Sequence, residues 1–157
     1  MLRRGLVVAV LVAFADQLSK SWVLDRFTAE APRLLPVTPF FNLVLTWNRG
    51  MSFGLFNNDA ALNALVFSVL AVLIVGALLV WLSRVRETLL SIAIGLVVGG
   101  AAGNVVDRLG RGAVVDFLDF HVAGWHWFAF NLADAAICVG VGLMVIDGLL
   151  GRREAHN

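Results

Sequence analysis

The chain has 157 residues, of which 60% are hydrophobic and 15% charged, and its mean hydropathy is +0.87. A soluble domain of this length carries about a quarter charged residues, so composition excludes an ordinary soluble domain. A net charge of +1 with no clustered basic face excludes a nucleic-acid surface. Cys138 is the only cysteine, which excludes an intramolecular disulfide and a cysteine-based metal site, and its apolar run predicts a small buried side chain. Length predicts one domain covering residues 1–157.

Four segments are apolar enough to cross ~30 Å of hydrocarbon, which takes about 20 helical residues. The first spans about 5–24. Arg3 and Arg4 precede it as in a signal peptide, but Asp16, Gln17 and Lys20 stand where a small-residue cleavage site would lie, so it reads as a retained helix. The connection 25–59 holds Pro32, Pro36 and Pro39, which leaves every span free of proline kinks. Within it, Phe41–Asn48 alternates as a strand does, with Phe41, Leu43, Leu45 and Trp47 on one face. The second span covers about 60–82 and the third about 88–109. Extended pieces are expected at 114–120 and 125–130, before the fourth span at about 131–150. Five Trp and eleven Phe suit a chain anchored at a lipid boundary.

Arg3 and Arg4, the loop residues Arg84 and Arg86, and the tail residues Arg152 and Arg153 share one side, which the positive-inside rule makes cytoplasmic. The expected fold is therefore an all-α membrane protein, a four-transmembrane-helix bundle with both termini inside and a small extracytoplasmic β-structure.

Ionisable groups inside hydrocarbon are functional candidates by default. At ~1.5 Å per residue, Asp16 falls roughly 16 Å along the first span, past the midplane, with Lys20 one turn further out. Asn104, Asp107 and Arg108 close the third span, Asp116 follows it, and Asn131 and Asp134 open the fourth. All fall in one layer near the outer face. Plainer readings stand beside the functional one. Asp16 and Lys20, at i and i+4, can neutralise each other. Asp107 and Arg108 can anchor a helix end in headgroups. Asn131 can cap the fourth helix by accepting from the N–H of Ala133 or Asp134, and Asp134 suits a helix N-terminus. In the third span Gly95, Gly99 and Gly103 form a small-residue ridge that lets another helix, the fourth being the candidate, approach closely.

No H-E-x-x-H or G-x-S-x-G stands in the chain, and a Ser52–Lys20 or Ser19–Lys20 dyad competes with the Asp16–Lys20 pair. No metal or cofactor is expected. Two neighbouring carboxylates cannot easily both ionise, so one can activate water while the other, still protonated, polarises a peptide carbonyl. Spacing leaves the choice among Asp16, Asp107, Asp116, Asp119 and Asp134 open. A proton-coupled carrier and a non-catalytic lipid-binding subunit are the other readings; acids confined to one side and no detectable inverted repeat argue against the carrier.

Five segments occur in order: Asp16-Gln17-Leu18-Ser19-Lys20, Asn48-Arg49-Gly50-Met51-Ser52-Phe53-Gly54, Gly99 to Arg108, Val115-Asp116-Phe117, and Phe130-Asn131-Leu132-Ala133-Asp134. The set resembles the bacterial lipoprotein signal peptidase family, signal peptidase II, over nearly the whole chain. The resemblance implies an aspartic endopeptidase of the bacterial inner membrane; a monomer is expected. It would cut prolipoproteins just before a cysteine carrying diacylglycerol, and globomycin-type cyclic peptides would inhibit it. By motif match the catalytic pair is Asp116 and Asp134, with Asp16, Lys20, Asn48, Gly50, Asn104, Asp107, Arg108 and Asn131 lining or supporting the site. The outer aromatic segments, placed at the depth of these acids, make the tip of 25–59 a candidate lid over the scissile bond.

Overall fold

The computed structural model describes residues 1–27, 33–50 and 60–154, with only the backbone course at 60, 61 and 150–154. Ser52, the rest of the 51–54 motif and the 28–32 portion of the candidate lid lie outside the described residues, as do the side chains of Arg152 and Arg153.

Four helices carry the chain: α1 (Leu2–Arg26), α2 (Ala60–Leu82), α3 (Thr88–Arg111) and α4 (Leu132–Glu154). All four are long and apolar enough to cross a membrane, and their spans match the expected ones to within a few residues at each end. A sheet of four antiparallel strands in the order β1 (Leu34–Thr38), β2 (Phe41–Asn48), β3 (Val114–Val122) and β4 (Trp125–His126) completes the fold. β1 was not expected from the sequence, because Pro36 argues against a strand. It is tolerated there because β1 lies at the sheet edge, where no ladder hydrogen bond is lost.

Helix α3 is central: just over half of its membrane window is buried, 56%, against 22% or less for each of the others. Its glycines explain this. A Cβ on Gly95 would stand 2.5 Å from the Gly5 carbonyl oxygen, on Gly99 2.5 Å from that of Ala9, and on Gly103 2.5 Å from Asp16 Oδ2. The ridge thus admits α1, running parallel, and not α4 as expected. Helix α4 packs antiparallel on the neighbouring row, where Gly100 meets the Ala133 carbonyl and Gly140 faces that of Ala93. Gly99→Ala is therefore expected to cost about 1–3 kcal/mol through overpacking. Gly142→Ala, whose Cβ would meet nothing within 4 Å, should be neutral or slightly stabilising. Denaturation in mixed micelles compares the two.

The sheet is fastened to one end of the bundle. Gly112, at φ +73°, closes α3 in the left-handed region and turns the chain directly into β3. Val23 of α1 and Phe27, which follows its last residue, then pack with Val115 and Phe117 of β3. A bulge in β2 between Leu43 and Thr46 shifts its register on β3. This breaks the expected single face: Leu43 and Leu45 pack into the core, whereas Trp47 is exposed. After the bulge Thr46 and Asn48, not Trp47, share the face of Asp116. The 125–130 piece shortens to β4 and a single bridge from Phe130 to Leu118. Cys138, expected to be buried, faces outward on α4, where a small apolar side chain suits lipid.

Candidate active site

Lys20 organises the polar layer. Its ammonium lies 2.8 Å from Asp16 Oδ2, 2.9 Å from Asp107 Oδ2 and 3.0 Å from Asn104 Oδ1. The side chains of Lys20, Asp16 and Asp107 are all fully buried. Three acceptors saturate the three donors of an ammonium, so the charge is compensated on every side.

Asp16 and Asp107 are thereby committed. Asp16 Oδ1 accepts the Ala133 N–H at 3.0 Å, so α1 caps the first turn of α4 across the bundle. Asp107 additionally accepts from Arg111, from Gln17 Nε2 at 3.1 Å and from the Val115 N–H at 3.1 Å. It points inward and is not the headgroup anchor that was one reading of it. Gln17 and Arg111 went unrecognised as members of this network. Arg111 stands four residues after Asp107 and was legible by helix spacing; Gln17, which also donates to the Gly103 carbonyl at 3.1 Å, carries no such signal.

Asp116 and Asp134 are held differently, by neutral donors. Asp116, 2% exposed on β3, accepts from Asn48 Nδ2 at 3.0 Å and from Asn131 Nδ2 at 2.7 Å. Asp134 accepts from Asn104 Nδ2 at 2.8 Å and from the Asn131 N–H at 3.3 Å. Asn131 Oδ1 in turn accepts the Asp134 N–H at 2.9 Å. The expected N-cap is therefore present as a reciprocal capping box, and its side-chain amide ties Asp134 to Asp116. The guanidinium of Arg108 stacks on Phe67, 5.5 Å from the ring centroid, within electrostatic reach of both acids. Gly50, at φ +78°, donates to Asn48 Oδ1 at 2.9 Å and sits so close to Phe67 that a side chain would collide. That turn orients the Asn48 amide toward Asp116.

Asp119 lies three residues on along β3, whose own alternation turns it to the other side of the sheet from Asp116, opposite Asn42. It accepts from Asn42 at 2.8 Å and pairs with His126 Nδ1 at 3.0 Å. Burial alone would raise its pKa, but these two partners hold it below the ordinary carboxylate range. Asp116 goes the other way. Burial, aided by the nearby Asp134 charge and opposed by the Asn48 and Asn131 hydrogen bonds, pushes it from 3.8 to about 6.

This has a testable sign. Between pH 4 and 6 the native Asp116 binds more protons than the unfolded chain, so its contribution to stability falls as pH rises through that window. Relative to Asp116→Asn, the wild type should lose roughly 2 kcal/mol between pH 4 and pH 7, at about 1.4 kcal/mol per tenfold change in proton affinity. Parallel unfolding titrations of the two proteins at both pH values measure it.

A burial-raised carboxyl tied to a second carboxyl, with Lys20 and Arg111 engaged by Asp16 and Asp107, is an arrangement suited to acid–base work on water. Residues 8–150 match the family described as Signal peptidase (SPase) II. The chain belongs to the signal peptidase II family. It is accordingly an aspartic peptidase and a multi-pass membrane protein. Its relatives include the lipoprotein signal peptidases of Nitrobacter hamburgensis, 44% identical over 95% of this chain and 93% of that one, and Shewanella baltica, 46% identical over 96% and 88%. A bacterial membrane enzyme solved by the in meso method at 1.9 Å superposes with a TM-score of 0.78 at 29% identity, covering 92% of each chain. A second, at 2.3 Å, gives 0.76 at 29% identity over 92% of this chain and 87% of its own.

Proposed function

We propose that this chain removes signal peptides from bacterial prolipoproteins, cutting just before a diacylglyceryl-modified cysteine with water activated between Asp116 and Asp134. The observation that carries the assignment is the division among the acids. Lys20 and Arg111 form ion pairs with Asp16 and Asp107, whereas Asp116 and Asp134 accept hydrogen bonds from amides, form no ion pair and share Asn131.

In this mechanism the ionised member of the pair takes a proton from water as its oxygen attacks the scissile carbonyl carbon. The protonated member gives its proton to the carbonyl oxygen. Collapse of the tetrahedral intermediate breaks the C–N bond: the proton taken from water passes to the departing amine of the cysteine, and one hydroxyl of the gem-diol returns its proton to the carboxylate that had donated one. The pair ends with one proton, as it began. Asn131 keeps the two carboxyls in register throughout, and Asn48 and Asn104 hold their outer oxygens.

The layer's position suits such a substrate. Asp116 and Asp134 lie where α4 begins and the sheet meets the bundle, at the depth where a signal peptide's apolar helix would end. The arginine distribution supports both termini in the cytoplasm of a bacterial inner membrane, with the site near the extracytoplasmic face. Exposed Trp125 of β4 and Trp127 and Phe128 just after it suit an interface beside the site. The chain would act as a monomer, and globomycin-type peptides would compete at the same pair.

The test uses purified protein in detergent with one prolipoprotein in two forms, with and without diacylglycerol on its cysteine. Mass spectrometry should find a single cut before the cysteine in the lipidated form and little in the other. A cut elsewhere, or equal cleavage of both forms, contradicts the reading.

A further inference from the structure

The end of the bundle remote from the sheet carries a feature that the peptidase reading does not use. Arg3 and Arg4 are exposed on the first turn of α1. Among the described residues neither pairs with a carboxylate. Arg4 Nη1 donates to Thr88 Oγ1 at 3.1 Å, which holds its guanidinium in the corner between α1 and α3. The neighbouring acid, Glu87, is turned to the Arg86 N–H at 3.2 Å.

Below these arginines two apolar furrows run along the helix surface. One, of about 390 Å³, is lined by Leu2, Arg3, Leu6, Val7, Val10 and Leu11. The other, of about 340 Å³, is lined by Arg3, Arg4, Val7, Val8 and Ile92 and reaches onto α3. Arg3 and Val7 belong to both. The furrows therefore diverge from one cationic head and are divided by one ridge. From Leu2 to Leu11 the first extends roughly 14 Å down the helix.

We propose that this corner binds one anionic diacyl phospholipid, its phosphate on Arg3 and Arg4 and one acyl chain in each furrow astride Val7. Two unpaired guanidiniums select net negative charge over a zwitterion, as basic pockets beside membrane helices do. Two furrows sharing one head select two chains over one. A generic annular contact would supply the apolar surface without either selection. The site is independent of the catalytic assignment and lies at the other end of α1.

Native mass spectrometry of the full chain, titrated with phosphatidylglycerol or phosphatidylcholine of the same acyl chains, tests it. Phosphatidylglycerol should be retained about tenfold more strongly, and single-chain lysophosphatidylglycerol should bind more weakly than the two-chain lipid. Arg3→Gln/Arg4→Gln, with unchanged elution and unfolding, should reduce the headgroup preference toward one. The control Arg84→Gln/Arg86→Gln should keep it. No preference in the wild type, a preference that survives Arg3→Gln/Arg4→Gln, or equal retention of one-chain and two-chain lipid would overturn the site.

Discussion

Lys20→Met is expected to cost the fold about 3–5 kcal/mol, because it leaves charges buried without their counterion. The wild-type ammonium contacts Asp16, Asp107 and Asn104 within 3.0 Å in a site closed to solvent. After the exchange Asp107 keeps Arg111, Gln17 and the Val115 N–H. Asp16 keeps only the Ala133 N–H and Gln17, neither of them charged. Asp16 is thus the group that suffers most, and Lys20→Met/Asp16→Asn should recover part of the loss. An intact ion network need not be worth as much as its breakage costs, since desolvation offsets most of the attraction. What it fixes is geometry: Asp16 ties α1 to α4, and Asp107 ties α3 to β3. Mixed-micelle denaturation of the single and double variants checks the order, and a Lys20→Met protein as stable as the wild type would contradict it.

Much of this arrangement was legible in the sequence. The spans follow from unbroken apolar runs, and the polar layer follows from counting helical rise to Asp16, Asn104 and Asp134. The Asn131 cap followed from its place before Asp134. What was not legible depends on which helix faces which. The Gly95–Gly99–Gly103 ridge announces a close neighbour but not its identity, and that neighbour is α1. Whether Asp107 points to headgroups or inward depends on Lys20, eighty-seven positions away in the chain. The β2 bulge leaves no mark in an alternating strand, yet it turns Asn48 toward Asp116. Asp116 and Asp119 look alike in sequence; strand parity and their different partners separate them.

Asp116→Asn and Asp134→Asn are each expected to lower turnover by about 10⁴-fold. Asparagine keeps the shape of the side chain but can neither accept a proton from water nor deliver one to a carbonyl. The two acids act as a unit, so losses should not add, and Asp116→Asn/Asp134→Asn should be little worse than either single variant. Asp107→Asn should behave differently. It weakens the Lys20 and Arg111 contacts and so lowers stability, with any loss of turnover following the loss of folded protein.

Asp116 and Asp134 as the catalytic pair are tested most directly by turnover of a diacylglyceryl-modified prolipoprotein by the wild type, Asp116→Asn, Asp134→Asn and the double variant, each verified as folded. The same near-complete loss is expected in all three variants. Wild-type turnover in either single variant would contradict it.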